Sequence, residues 1–167
     1  MAAAVLETAG APAAALSLIA VTVGPGSFTG LRSALALAHG IGLAAGVPVV
    51  GVTVGEALFD PGDPRVQWAA VDTRRGRVFL EHGGEVHSAA LDNLPSPSGP
   101  LVVGGDAAAA VAERLRVRGF DVVLGPVLPA PVGIALAALR RAAAGLPVRP
   151  AQPLYVDPPE ARPANAV

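Results

Sequence analysis

The feature that most restricts the fold is a strand–turn–helix–strand unit in the first third of the chain. Leu18–Val23 is a short apolar run typical of a buried strand, and Phe28–Ala45 has the length and pattern of a helix. The turn Gly24–Ser27 separates them, and a second β-branched run, Val47–Val54, follows the helix. Strand, helix and strand with short connections predict a βαβ unit with two parallel strands.

This unit is incomplete as a sheet. Two parallel strands are not stable alone, so the first part of the chain is expected to belong to a larger sheet. The remaining strands are expected either upstream of Met1 or on a partner protein.

A turn-rich segment at 60–64 marks the clearest boundary in the chain. Past it, six prolines from Pro147 onward predict an extended tail. We therefore predict three regions, 1–62, 63–146 and 147–167: the remainder of an N-terminal domain, a second α/β domain and a tail. The elements predicted for the second domain are strands at Val66–Val71 and Arg77–Glu81, a strand at Leu101–Val103, a helix capped by Asp106 and ending at Arg118, a strand at Asp121–Leu124, and a helix at Val132–Ala144.

Composition excludes several functions. The net charge of -1 provides no basic field for nucleic acid or anionic membranes. The absence of cysteine excludes disulfides and thiolate chemistry. Residues 33–55 carry no formal charge and are long enough to cross a bilayer, but glycines and Pro48 interrupt them and their second half has the pattern of a strand. The N-terminus lacks the features of a secretory signal, and a cytoplasmic protein without membrane contact is expected.

No metal or catalytic centre is predicted. The three histidines are spread over the chain, and the spacing of His82 and His87 would place them on opposite sides of an extended strand. His39 lies apart from both, in the first long helix. No base lies near Ser27 or Thr29 in sequence to activate a hydroxyl.

The most specific motif is the turn at residues 24–32, GPGSFTGLR. Its glycines permit unusual backbone geometry, Ser27 or Thr29 can cap the helix, and N–H groups at a helix start favour an anion. One interpretation is a phosphate cradle; the other is a tight turn that packs helix against strand. Neither standard nucleotide motif is present, since the chain has no lysine and the spacing is GxGxxxG. The residues of a possible anion or nucleotide contact are Gly24, Gly26, Ser27, Thr29 and Gly30.

This motif and its continuation, SALALAHG at 33–40 and GVPVVGV at 46–52, resemble the TsaB (YeaZ) family. That family is the dimerisation subunit of the bacterial tRNA threonylcarbamoyladenosine machinery. The segments AVDTRRGRVF at 70–79, VGGDA at 103–107 and PLYV at 153–156 are also similar to it, so the resemblance covers nearly the whole chain. Asp157 stands where the family usually has arginine, and His39 where it often has lysine.

The resemblance implies an α/β fold of the actin/Hsp70-like, RNase H-like type, with two related domains. Met1 falls within what resembles the first helix of the family, so the first three strands of the N-terminal sheet are expected to be missing. In-frame codons upstream of Met1 that encode a strand with Asp-Thr or Asp-Ser would show a misassigned start.

The resemblance also implies a function. The family supports a catalytic homologue, TsaD, which holds ATP and metal and transfers the threonylcarbamoyl group to adenosine beside the anticodon. This chain is accordingly expected to be a non-catalytic partner subunit without a cofactor of its own. The partners implied are a TsaD-like catalytic subunit, a second copy of the chain, tRNA through the complex, and a TsaE-like ATPase as a further candidate.

The helix at 28–45 is apolar nearly all round and must be covered on both sides. Its small-residue ridge would allow another helix to approach closely, which favours a subunit interface over a purely intramolecular contact. The predicted interface residues are Arg32, Ala36, Leu37, Gly40, Leu43 and Ala44.

Arg74, Arg75 and Arg77 are candidates for contact with RNA phosphates, although three arginines in a turn are also typical of a solvated loop. Two alternatives to a partner subunit remain open at this point. One is an enzyme of the same superfamily with residual nucleotide binding at Gly24–Gly30, of the kind that is called a glycoprotease by analogy with the catalytic homologue. The other is a fragment with no function of its own.

Overall fold

The structure is a computed structural model that describes residues 2–156. Its helices are α1 (Ala2–Thr8), α2 (Phe28–Ala45), α3 (Val54–Leu58), α4 (Ala108–Val117) and α5 (Pro131–Ala143). Its strands are β1 (Ile19–Gly24), β2 (Val49–Thr53), β3 (Val66–Asp72), β4 (Arg77–His82), β5 (Glu85–Ala90), β6 (Leu101–Gly104) and β7 (Val122–Leu124).

Strands β1 and β2 pair in parallel, which confirms the predicted βαβ unit. Helix α2 covers one face of this sheet, where Val21 and Val23 pack against Leu35 and Ala38. Helices α3 and α5 cover the other face, where Val50 and Val52 of β2 belong to a separate apolar cluster. We call β1, β2, α2, α3 and α5 the first unit.

Strands β3 to β7 form a five-stranded mixed sheet in the order β5-β4-β3-β6-β7. One face of this sheet packs on α4, and Trp68, Leu80, Val111 and Leu115 are at most 2% exposed there. These elements form the second unit. The other face of β3 and β4 lies against α3, so that α3 joins the two units.

Three details differ from the sequence-based expectations. Strand β5 was not predicted, because Glu85–Ala90 lacks a regular alternation of polar and apolar residues and follows two glycines. The prediction that Asp106 caps α4 is wrong: Ala107 occupies the cap position, and Asp106 Oδ1 accepts from the backbone N–H of Asp72 at 2.8 Å. Helix α5, predicted as part of the second domain, packs against β1 and β2.

The chain that follows α5 crosses the first unit. Gly51 donates its N–H to the carbonyl of Arg149 at 2.9 Å, and Leu154 donates to the carbonyl of Val23 at 2.8 Å. We call residues 149–156 the closing segment, since they bind both strands of the first sheet. The predicted tail beyond it, 157–167, lies outside the described residues.

Within residues 2–156, no helix combines the length and the apolar character that a bilayer span requires.

Candidate functional site

A cleft of about 1350 Å³ lies between the two units. The start of α2 forms one wall and the turn between β3 and β4 forms another. The closing segment and the loop after β7 complete it. The side chains that line these parts include Phe28, Leu31, Arg32, Asp72, Arg74, Arg75, Phe79, Asp106, Leu128, Leu154 and Tyr155.

The wall at the start of α2 is built by the predicted glycine-rich turn. Gly24 has a φ of 121°, which a residue with a side chain rarely adopts, and an added Cβ would lie 3.2 Å from Leu31 Cδ1. Ser27, rather than Thr29, caps the helix and accepts from the N–H of Gly30 at 3.5 Å. Gly26 has no positive φ, so this turn requires glycine at position 24 only.

The opposite wall is the turn between β3 and β4. Asp72 Oδ1 accepts from the N–H of Arg74 at 2.8 Å, and Arg74 has a positive φ of 62°, which is uncommon outside glycine. Arg74 and Arg75 both line the cleft. Arg77 turns away from it, donating from Nε to Ser88 Oγ at 2.8 Å. The three candidate RNA-binding arginines therefore do not form one surface.

A buried carboxyl group joins the two units beside the cleft. Glu81 of β4 is 7% exposed, accepts from the Thr53 hydroxyl, and accepts from the N–H of Gly55 at 2.7 Å. Burial raises the pKa of Glu81, although the hydrogen bonds from Thr53 and Gly55 oppose this shift. An added Cβ at Gly55 would lie 2.6 Å from the Glu81 carboxyl carbon, so glycine makes this approach possible.

A second carboxylate holds the first unit together. Glu56 of α3 accepts from Arg141 of α5 at 2.7 Å and from Arg149 of the closing segment at 3.0 Å. Thr53 and Glu56 also form a reciprocal capping box at the start of α3.

The outer face of α2 is exposed and apolar. Leu37 is 54% exposed and Leu43 is 87% exposed, while Ala36, Gly40 and Ala44 lie exposed near them. We call these five residues together with Arg32 the α2 surface. An added Cβ at Gly40 would meet nothing within 4 Å. The structure thus brings all six predicted interface residues onto one exposed part of the molecule.

Two large aromatic side chains extend the α2 surface to the mouth of the cleft. The Arg32 guanidinium lies 3.9 Å from the centre of the Phe28 ring and donates to the Tyr155 hydroxyl at 3.0 Å. Phe28 is 57% exposed and Tyr155 is 58% exposed. The spacing of Phe28 and Arg32 on one helix could have indicated their contact, but no local pattern relates Tyr155 to residues 123 positions earlier.

The three histidines lie in two separate places, His39 on α2 and the other two on β4 and β5. No group of three potential ligands is present in the part of the chain that the structure describes. The expectation that His82 and His87 face opposite sides is wrong, because a turn separates them and their rings lie 5.1 Å apart across β4 and β5. Burial lowers the pKa of His82, and the neighbouring His87 lowers it further. His39 Nε2 lies 2.8 Å from the carbonyl of Ala151.

Comparison with known families gives a match to the model described as TsaD: tRNA N6-adenosine threonylcarbamoyltransferase, over residues 1–98. The uncharacterized protein Rv3421c of Mycobacterium tuberculosis is 33% identical over 96% of this chain and 73% of its own length. The tRNA threonylcarbamoyladenosine biosynthesis protein TsaB of Escherichia coli is 33% identical over 79 residues, which are 45% of this chain and 34% of that protein.

Two solved structures from Pseudomonas aeruginosa share the fold. One is an uncharacterized protein with similarity to peptidase YEAZ, with a TM-score of 0.74 and 23% identity over 94% of this chain and 81% of that chain. The other is YeaZ, with a TM-score of 0.72 and 24% identity over 92% and 81% respectively. These similarities confirm the predicted actin/Hsp70-like α/β architecture.

Proposed function

Because this chain belongs to the TsaB (YeaZ) family of tRNA threonylcarbamoyladenosine biosynthesis, we propose that it is a non-catalytic subunit that binds and supports a TsaD-like catalytic subunit. The contact is made through the α2 surface, and tRNA is reached through the assembled complex. ATP and metal are held by the catalytic subunit.

The exposure of the α2 surface is the observation that carries this proposal. A helix normally turns apolar residues toward the protein core, yet α2 keeps Leu37 and Leu43 in solvent. The small residues Ala36, Gly40 and Ala44 leave room for a second backbone to approach. Apart from Arg32 the α2 surface carries no charge, and the cores of protein interfaces are likewise depleted in charged residues. A face of this composition suits burial against another subunit.

The test is co-purification with the TsaD-like protein of the same source, by size-exclusion chromatography with light scattering. We expect a stoichiometric complex with the wild-type chain and none with Leu37→Glu. The matched control is Val117→Glu, which places the same charge at an apolar position on α4 that is 85% exposed. Failure of the wild-type chain to bind, or equal loss in both variants, would contradict the proposal.

The cleft favours a second candidate function, residual nucleotide binding. Its walls bring the N-terminal turn of α2 opposite Arg74 and Arg75, and phosphates are stabilised by helix N-termini and arginines. Calorimetric titration with ATP tests this candidate. It predicts saturable binding that Arg74→Gln weakens, whereas the subunit function alone predicts none.

A further inference from the structure

The cluster of Phe28, Arg32 and Tyr155 lies where the α2 surface meets the mouth of the cleft, and the proposed function assigns no specific chemistry to it. It consists of two aromatic side chains and an arginine, all exposed and in mutual contact at the N-terminal end of α2. Aromatic residues and arginine are the types that most often dominate the affinity of protein interfaces. Aromatic rings of this size are normally largely buried, so the exposure of these two requires an explanation.

Arg32 is held in place, and its charge has no carboxylate partner among residues 2–156. Its guanidinium lies against Phe28 on one side and donates to Tyr155, whereas no carboxylate of the described chain pairs with it. A guanidinium offers five N–H donors in a planar fork that matches a carboxylate in two-point contact. Because the fork is already oriented, a carboxylate that binds there loses less side-chain entropy.

Phe28 lies on the same face of α2 as Arg32 and the rest of the α2 surface. Positions 28, 32, 36 and 40 follow one another at intervals of four on a helix and therefore share one face. We propose that Arg32, fixed by Phe28 and Tyr155, is the docking point for a carboxylate of the TsaD-like subunit at the end of the α2 contact. This inference rests on the proposed function and names the chemistry that the partner brings to it.

A protein carboxylate fits this site better than an RNA phosphate. Arg32 is the one cation in the sequence of α2, and the positions that continue its face are apolar. Nucleic acids are bound through several cations that together displace counterions. An interface with an apolar centre and one oriented charge at its edge is instead typical of a protein partner.

The experiment compares the affinity of variants for the TsaD-like protein of the same source, by calorimetry at low and high NaCl. We expect Arg32→Gln to raise Kd about tenfold or more and to weaken its salt dependence. Arg32→Lys keeps the charge without the planar fork and is expected to restore only part of the affinity. Tyr155→Phe removes only the hydroxyl that orients the fork, and it is expected to raise Kd less than Arg32→Gln does. Arg114→Gln, at an exposed arginine on α4, is the matched control and should bind as wild type.

The outcomes separate this inference from the proposed function. If Leu37→Glu abolishes binding while Arg32→Gln binds as Arg114→Gln does, the docking point is wrong and the subunit function stands. If both Leu37→Glu and Arg32→Gln bind as wild type, the α2 surface is not the interface and both fail. If Arg32→Gln weakens only the capture of tRNA by the assembled complex, the group bound is a phosphate and the inference is overturned.

Discussion

At the scale of single residues, Glu81 is an ionisable side chain that the fold buries, with 7% of its surface exposed. Its carboxyl group is enclosed between β4 and α3, and its pKa is raised by that burial. For a carboxyl group with a raised pKa, the folded state binds the proton more tightly than the unfolded state. The stability that this provides is complete below the ordinary pKa of 4.5 and is lost as pH rises through the raised value.

Glu81→Gln should remove this pH dependence. The amide can still accept from Gly55 N–H and can donate to the Thr53 hydroxyl, so the contact between units is kept without a charge. We expect the variant to gain stability over wild type progressively as pH rises above the ordinary carboxyl pKa of 4.5, measured by urea unfolding midpoints at each pH. Glu113→Gln, on the exposed side of α4, is the control. Parallel pH profiles for wild type and Glu81→Gln would contradict the assignment.

At the scale of elements, Gly133 determines how closely α5 approaches α3. A Cβ at this position would overlap the carbonyl oxygen of Ala57. We expect Gly133→Ala to destabilise the fold by about 1–3 kcal/mol through overpacking, in a chemical denaturation measurement. Alanine has a higher helix propensity than glycine, so propensity alone would stabilise the fold. A loss of stability would therefore show that the close packing of α5 on α3 dominates.

Gly40→Ala is the matched change, because it adds the same methyl group to α2 in open space. There only the higher helix propensity of alanine acts, and the free energy of unfolding of the unbound chain should rise by about 0.5–1 kcal/mol. If both glycine variants change stability in the same direction, the close contact between α3 and α5 does not set the packing of the first unit.

Most helices and strands could be predicted from the sequence, but the tertiary contacts between them could not. Periodicity and turn residues predict β1, α2 and β2 within one or two residues, because short apolar runs and glycine ends are local signals. The missed strand β5 has the pattern of a solvated loop and is ordered by its ladder with β4. The candidate site shows the same division: the turn at Gly24 is visible in sequence, but Tyr155 beside Arg32 and Glu81 beside Gly55 depend on tertiary packing.

At the scale of the whole molecule, Glu56 connects parts of the chain that are far apart in sequence. Arg141 and Arg149, 85 and 93 residues away, both donate to it, and all three side chains are less than one-third exposed. Glu56→Gln leaves two partly buried cations with a weaker partner. We expect a loss of about 1–3 kcal/mol in the free energy of unfolding.

This prediction is measured by thermal or urea unfolding at low and high salt. The loss should be smaller at high salt, where the unpaired arginines are screened. Asp92→Asn, which breaks the exposed pair with Arg114, is the control and should change stability little. An equally small effect of Glu56→Gln would show that packing alone holds α5 and the closing segment on the first unit.

The path of the chain also bears on how the protein emerges from the ribosome. Residues 66–124, which form the second unit, are continuous in sequence and carry their own apolar core. The first sheet is made early, but α5 and the closing segment that cover it are synthesised about a hundred residues later. During translation one face of β1 and β2 therefore stays exposed to solvent while the second unit can already fold. Residues 66–124 can therefore reach their native state first, whereas the first sheet reaches its native state only after α5 and the closing segment have been synthesised.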